Sequence, residues 1–469
     1  MLSYLVTRVA LMTEDTFGEN YREVDTPEQI GQSKQNERNE QSKQRNRSNT
    51  VRSRRVAPST RGAKTRAQKK YWMLVAFAVL AVAYAGNEFT PMMVFYRGEN
   101  VFGSVFVDAL LACYAAGIAA GLLLCGPLSD RYGRRIVMLP APVISLVGSV
   151  LIAAGEMNEP LIFTGRLLSG FAVGIVMTAG GAWIKELSTP SFDPSAQEGS
   201  GARRATMSLT LGFAVGAALA GVLAEWGPAP GQTPYILSIL LCAVSMIGIL
   251  GVPETRQNAH LKMEGSFWSD LKVPSLRHPR FLTAVIPIAP WVFGCAGVAY
   301  AIMPSLAQDQ VPYPIAFSAG ITAIALACGF GIQQVSTKYI NPNNSQAQQI
   351  GLVLVIIGMV VAAWTAHVGS LAGTVAVGLI LGTGYGVCLI TGLTEVQRIA
   401  SADDLGGLTA FFYTITYIGF FFPMILSRLK DWFTYTEMLG FGAVVALIGL
   451  IVVTLTSKKF IPNPDQQRN

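Results

Sequence analysis

From residue 71 onward, apolar runs of about twenty residues alternate with short polar connections. Each run is long enough to cross a hydrocarbon layer as a helix. In lipid, a helix bonds every backbone group within its own segment, so the runs predict membrane spans. They fall near 71–95, 101–125, 136–155, 160–183, 206–226 and 233–252, and after a longer connection near 281–305, 315–337, 348–367, 371–394, 406–427 and 435–456. Twelve spans put both chain ends on one side. The pattern predicts an all-α membrane protein with an N-terminal six-helix bundle at 71–252, a linker at 253–280 and a C-terminal six-helix bundle at 281–457.

Composition agrees, with 51% hydrophobic and 13% charged residues, against about 25% charged in soluble domains. The net charge of +7 lies wholly in the amino-terminal tail, where residues 1–70 hold 15 Lys and Arg against 8 Asp and Glu, while the rest holds 20 of each. That tail is too poor in large apolar residues to offset its ordering entropy and is predicted to be disordered, as a basic cytoplasmic segment. Its charge suits anionic membrane lipid and gives little reason to invoke nucleic acid. The apolar patch at 1–12 lacks the features of a signal peptide.

Lys and Arg favour the cytoplasmic side. With the amino end inside, the inner connections and the tail 458–469 hold 16 of them, and the outer ones hold Arg97, Arg428 and Lys430. The reading is a multi-pass plasma-membrane protein with both termini cytoplasmic. Six cysteines scattered in apolar runs and three histidines in loops or at a span end predict neither disulfides nor a metal site. A nucleophile–base pair and a phosphate-binding Gly-x-x-x-x-Gly-Lys loop are both missing from the sequence, so enzyme and nucleotide-driven pump are disfavoured.

Between spans 2 and 3 lies Gly126-Pro-Leu-Ser-Asp130-Arg131-Tyr-Gly133-Arg134-Arg135. Gly-x-Leu-Ser-Asp-Arg-x-Gly-Arg-Arg in this place resembles the signature loop of the major facilitator superfamily of secondary transporters. Pro253-Glu254-Thr255 after span 6 is similar to the superfamily's close of its first half. Span 8 is followed by Ser336-Thr-Lys-Tyr-Ile-Asn341, so the loop has no clear second copy. The resemblance covers about 71–457. It implies two pseudo-symmetric bundles that rock about a central site, a small-molecule solute moved with protons, no cofactor beyond the proton gradient, and a monomer.

Charges at bilayer depth cost roughly 2.5–3.5 kcal/mol or more and need a reason. Arg166, in Arg166-Leu-Leu-Ser-Gly170-Phe-Ala-Val-Gly174, resembles the superfamily's fourth-span motif, whose arginine is implicated in proton coupling; a snorkelling or helix-pinning arginine is the alternative. Glu88, in Gly86-Asn87-Glu88-Phe-Thr-Pro91, resembles the span 1 acid of drug–proton antiporters; a helix-end cap is the alternative. Burial favours its neutral form and a nearby arginine its charged form, which poises it to bind and release a proton. Asp108 lies at similar depth, so Glu88, Asp108 and Arg166 are expected to form one proton-coupling cluster.

At the inner end, Asp130 is expected near the positive start of span 11, with Arg131 and Arg135 beside it, as part of a two-state latch. Gly126, Gly133 and Arg134 belong to the same loop. Asp403 and Asp404 offer the arginines a second partner, or are solvated loop acids. Glu186 and Glu395 close spans 4 and 10 and are candidates for a similar latch; a local pair of Glu395 with Arg398 is equally open.

Gly212-Phe-Ala-Val-Gly216-Ala217-Ala-Leu-Ala-Gly221 in span 5 is similar to the antiporter motif of drug exporters, but Ala217 stands where that motif has proline. Export of drugs or lipophilic metabolites leads; uptake of a neutral nutrient such as a sugar by symport stays open, and a non-transporting receptor ranks last. Asn87, Trp291, Tyr413 and Tyr417 are the substrate-binding candidates, since aromatic walls with few fixed charges suit a lipophilic solute.

Overall fold

A computed structural model describes residues 70–98, 102–155, 158–197, 199–256, 273–336, 345–401 and 404–457. The expectations for the two tails, for most of the 253–280 connection and for Asp403 lie outside the described residues. The chain forms helical segments α1 (Tyr71–Gly98), α2 (Ser104–Tyr132), α3 (Arg134–Ala154), α4 (Glu159–Leu187), α5 (Ser200–Trp226), α6 (Thr233–Ile249), α7 (Phe281–Gln310), α8 (Pro314–Ser336), α9 (Gln346–Val368), α10 (Leu371–Ile399), α11 (Leu405–Leu429) and α12 (Tyr435–Thr456). All but α6 are long and apolar enough to cross a membrane alone, and α6 is an apolar helix of 17 residues. Their outer faces are greasy: Ile247, Phe441 and Leu455 are about 70% exposed, as lipid-facing side chains must be. The six cysteines are free, and all but the half-buried Cys328 are buried.

Within the first half α2 packs on α4, α1 on α5, and α3 on α4; within the second, α9 packs on α10 and α12, and α8 on α10. The halves meet along α2–α11 and α5–α8. The α2–α4 contact is backbone on backbone. A Cβ on Gly117 or Gly174 would strike a main-chain atom of the facing helix, so here the glycines serve close approach. Two spans contain wide, π-helical turns, at Val176–Gly180 in α4 and at Phe281–Val285 and Gly297–Ile302 in α7.

The structure revises the loop between spans 2 and 3. Residues 126–132 continue α2, with Pro127 inside the helix, and only Gly133 separates α2 from α3. Gly133 has φ +104°, and a Cβ there would lie 2.6 Å from Glu254 Oε2. Glu254 occupies that space because it accepts from Arg134 N at 3.1 Å and Arg135 N at 2.8 Å, capping α3 from beyond the end of α6. Gly133→Ala must therefore strain the turn and push the carboxylate away. We expect a loss of about 1–3 kcal/mol, read as a lower thermal midpoint in detergent. An unchanged midpoint would show that the turn tolerates a side chain.

Candidate functional site

A cavity of about 740 Å³ opens between the halves at the end that carries Asp130 and Arg134, here called the basic end. Its first wall comes from α2, α4 and α5, including Gly126, Asp130, Met177, Thr178, Lys185 and Thr206; its second comes from α10 and α11, including Gln397, Gly406, Phe411 and Tyr413. Toward the middle the cavity is closed by Tyr417, whose hydroxyl reaches Met177 Sδ of the other half at 3.5 Å. Behind it Tyr417 stacks on Phe293 at 4.2 Å, next to Phe420.

Beyond this plug the opposite end is shut. Arg97 and Asp108 form a buried ion pair, Ser427 of α11 donates to the other Asp108 oxygen, and Arg97 Nη1 reaches the Ala301 carbonyl of α7 at 3.4 Å. Lys430 adds a bond to Ser104 at 2.8 Å. Arg97 is thus not a loop residue, as its place in the sequence suggested. It lies in the last turn of α1, facing α2 and the second half.

Glu88 occupies a different compartment. Pro91 has no N–H to give to the carbonyl four residues earlier, and regular α-helix in α1 breaks at Glu88. Asn87 braces the break, donating to the Phe213 carbonyl at 2.9 Å and accepting from Thr90 at 2.7 Å. Glu88 is fully buried. Its Oε1 accepts from Ser149 of α3 at 3.4 Å, and Ser149 lies 2.6 Å from Ser238 of α6. Glu88 Oε2 has no hydrogen-bond partner among the described residues. Arg166 is also buried, donating to the Gly86 carbonyl at 3.3 Å and sandwiched between the rings of Phe89 and Tyr114 at 4.4 and 4.3 Å.

The expected three-residue cluster is therefore divided. Glu88 and Arg166 both belong to the α1 break, without an ion pair between them among the described residues, while Asp108 belongs to the closed end with Arg97. The reason is the reach of α1. It continues three residues past the expected boundary and delivers Arg97 to Asp108. Of the solute-binding candidates, Tyr413 lines the cavity and Tyr417 forms its plug. Trp291 does not line it: the indole is packed inside the second half, edge-on to Phe422 at 5.7 Å. Asn87 is likewise committed to the α1 break.

The expected latch residues are tied within their own halves. Asp130 makes no ion pair or hydrogen bond with α11 among the described residues. It pairs with Arg134 at 2.8 Å and Arg256 at 2.6 Å, and it faces the start of α11 across the cavity that both line. Arg134 also pairs with Glu186 at 2.9 Å, Arg135 donates to the Leu250 carbonyl at 2.6 Å, and Arg131 ends α2. Glu395 is buried in the second half with Arg280, accepts from Gln348 at 3.2 Å, and has Arg398 at 3.2 Å. Asp404 accepts from Ser275 N at 3.1 Å and from Ser401 at 2.8 Å. Burial raises its pKa, but these donors outweigh burial and hold the carboxyl below the usual range.

Sequence reading missed Ser149, Ser238, Ser427 and Arg280 as partners of the buried acids. A serine in an apolar span carries no signal of its own, and its pairing exists only once the helices pack. Arg280 is the last residue of the 253–280 connection, where its charge reads as part of the linker.

The described geometry joins a wider pattern of likeness. The model of the Major Facilitator Superfamily matches residues 72–424. The chain is 27% identical over 386 residues to the multidrug transporter MdfA of Yersinia pestis bv. Antiqua (strain Angola), covering 79% of this chain and 88% of that one. It is 21% identical over 438 residues to the glucose transporter GlcP of Staphylococcus epidermidis (strain ATCC 12228 / FDA PCI 1200), covering 83% and 93%. Among solved structures, a POT family transporter in complex with 5-aminolevulinic acid superposes with TM-score 0.65 at 12% identity, covering 83% of this chain and 96% of the other. A D-xylose–proton symporter superposes with TM-score 0.60 at 17% identity, covering 84% and 98%.

Proposed function

Because the chain belongs to the Major Facilitator Superfamily, and is a multi-pass membrane transporter of that group, we propose that it is a proton-coupled antiporter exporting drugs or lipophilic metabolites across the plasma membrane by alternating access. The observation that carries the proton step is Glu88: a fully buried carboxyl with one oxygen unpartnered, within a span whose break also presents the Gly86 carbonyl to Arg166. Such an acid is costly to keep charged, and a change in its surroundings as the halves move changes its affinity for a proton. The likeness to a multidrug transporter supports export. In this reading the basic end is cytoplasmic, and the cavity described above is open to the cytoplasm with its aromatic wall of Phe411 and Tyr413 facing the solute.

A specific pair of observations favours a second reading, uptake of a neutral sugar by symport. Ala217 replaces the proline of the exporter motif, and a glucose transporter is among the relatives. Purified protein in liposomes with an imposed pH difference tests both. Export predicts that a lipophilic dye moves against the proton flow and stops when a protonophore collapses the gradient. Movement of sugar with the proton selects symport, and indifference to the gradient for every solute tried ends both readings.

A further inference from the structure

The halves meet along two seams, α2–α11 and α5–α8, and at the opposite end each seam carries a hydrogen bond between halves. The second is built on a missing cap. The first N–H groups of a helix have no partner within it and carry its positive end. The chain enters α8 through Val311-Pro312-Tyr313-Pro314, which offers no Ser, Thr, Asp or Asn at the capping position. Pro314 has no N–H, so the amides that want a partner are those of Ile315 and Ala316. Glu225, in the last turn of α5 and therefore in the other half, supplies it. Its Oε2 accepts from Ile315 N at 2.8 Å and from Ala316 N at 2.9 Å. The neighbouring rings of Trp226 and Tyr313 meet at 5.5 Å, and Gly221 lets α5 approach Ala319 of α8 closely.

A cap contained in one half survives any movement between halves. A cap that crosses between them does not: separating α5 from α8 returns Glu225 to water and strips two amides of a charged acceptor. We infer that Glu225 is a gate residue, whose carboxylate holds the opposite end shut while the basic end is open and lets go when the halves rock the other way. It touches no solute. It acts by positioning α8 against α5, and the inference rests on the alternating-access reading given above.

Hydrogen exchange read by mass spectrometry on the full-length protein in lipid nanodiscs tests it. In Glu225→Ala the amides of 315–320 are expected to exchange about tenfold faster. Segments that line the basic-end cavity, 176–185 and 405–413, are expected to exchange more slowly as that end spends more time closed. Glu225→Gln keeps one acceptor oxygen and loses the charge, so it should shift both readings in the same directions by less. It carries the test alone should the alanine variant fail to fold. Faster exchange confined to 315–320, or none, overturns the gate. The readout needs no solute or proton gradient: reciprocal exchange in a protein that shows no proton-driven flux keeps the gate and removes the coupling.

Discussion

Glu88→Gln is expected to reduce proton-driven transport to the level seen without a gradient, while protein yield and membrane insertion stay near wild type. Glutamine fills the same volume and still accepts from Ser149, so the packing among α1, α3 and α6 survives. What it cannot do is take up and release a proton. Arg166→Ala should have the same effect on coupling for a different reason. The guanidinium is held flat between Phe89 and Tyr114 and bonds the Gly86 carbonyl beside the acid, so its removal takes away the positive charge and loosens the α1 break. Counterflow, an exchange of labelled for unlabelled solute with no gradient, should persist in Glu88→Gln. Full gradient-driven activity in both variants would remove Glu88 and Arg166 from the coupling step.

The second large effect concerns stability. Arg280 and Glu395 are a fully buried pair in the second half, with Ser345 and Gln348 completing their hydrogen bonds. Removing one partner of such a pair costs about 3–5 kcal/mol where the charge left behind has no other counterion; Arg398, 3.2 Å from the other Glu395 oxygen, offsets part of that cost for Arg280→Ala. Arg280→Ala should accordingly lower the thermal midpoint sharply, whereas replacing both residues together with Met and Leu should recover much of the loss. A latch between halves predicts something else: little change in midpoint and a changed balance between open ends. The two outcomes are separable in one detergent-stability series.

These contrasts show where sequence reading reaches and where it stops. The spans were legible because lipid imposes a length and a polarity that few other environments require, and even the short α6 was found by its apolar run. The places of Gly133 and Glu254 were marked by their motifs, but their contact was not, since it joins residues 121 positions apart. Asp108 is legible as an acid at bilayer depth, but its partner Arg97 is not. Depth along a span can be counted in residues. Direction around it cannot be carried through a break such as the one at Glu88 or a widened turn. The contacts between halves are hidden for a further reason: a span's own residues do not mark their partner in the other bundle, as with Tyr417 and Met177, 240 positions apart.

The widened turn at Val176–Gly180 has a consequence of its own. Before it, Gly170 and Gly174 are aimed at α2; after it, Gly181, Ala182 and Lys185 are aimed into the vestibule. The surplus residue acts as a phase shifter, letting one rod present a docking edge along its first stretch and a solvent-facing edge along its second. Closing this turn to regular α-helix without removing a residue would rotate everything downstream by about 100°, swinging Lys185 out of the vestibule and the buried Ile184 toward it, with no change in the composition of either stretch.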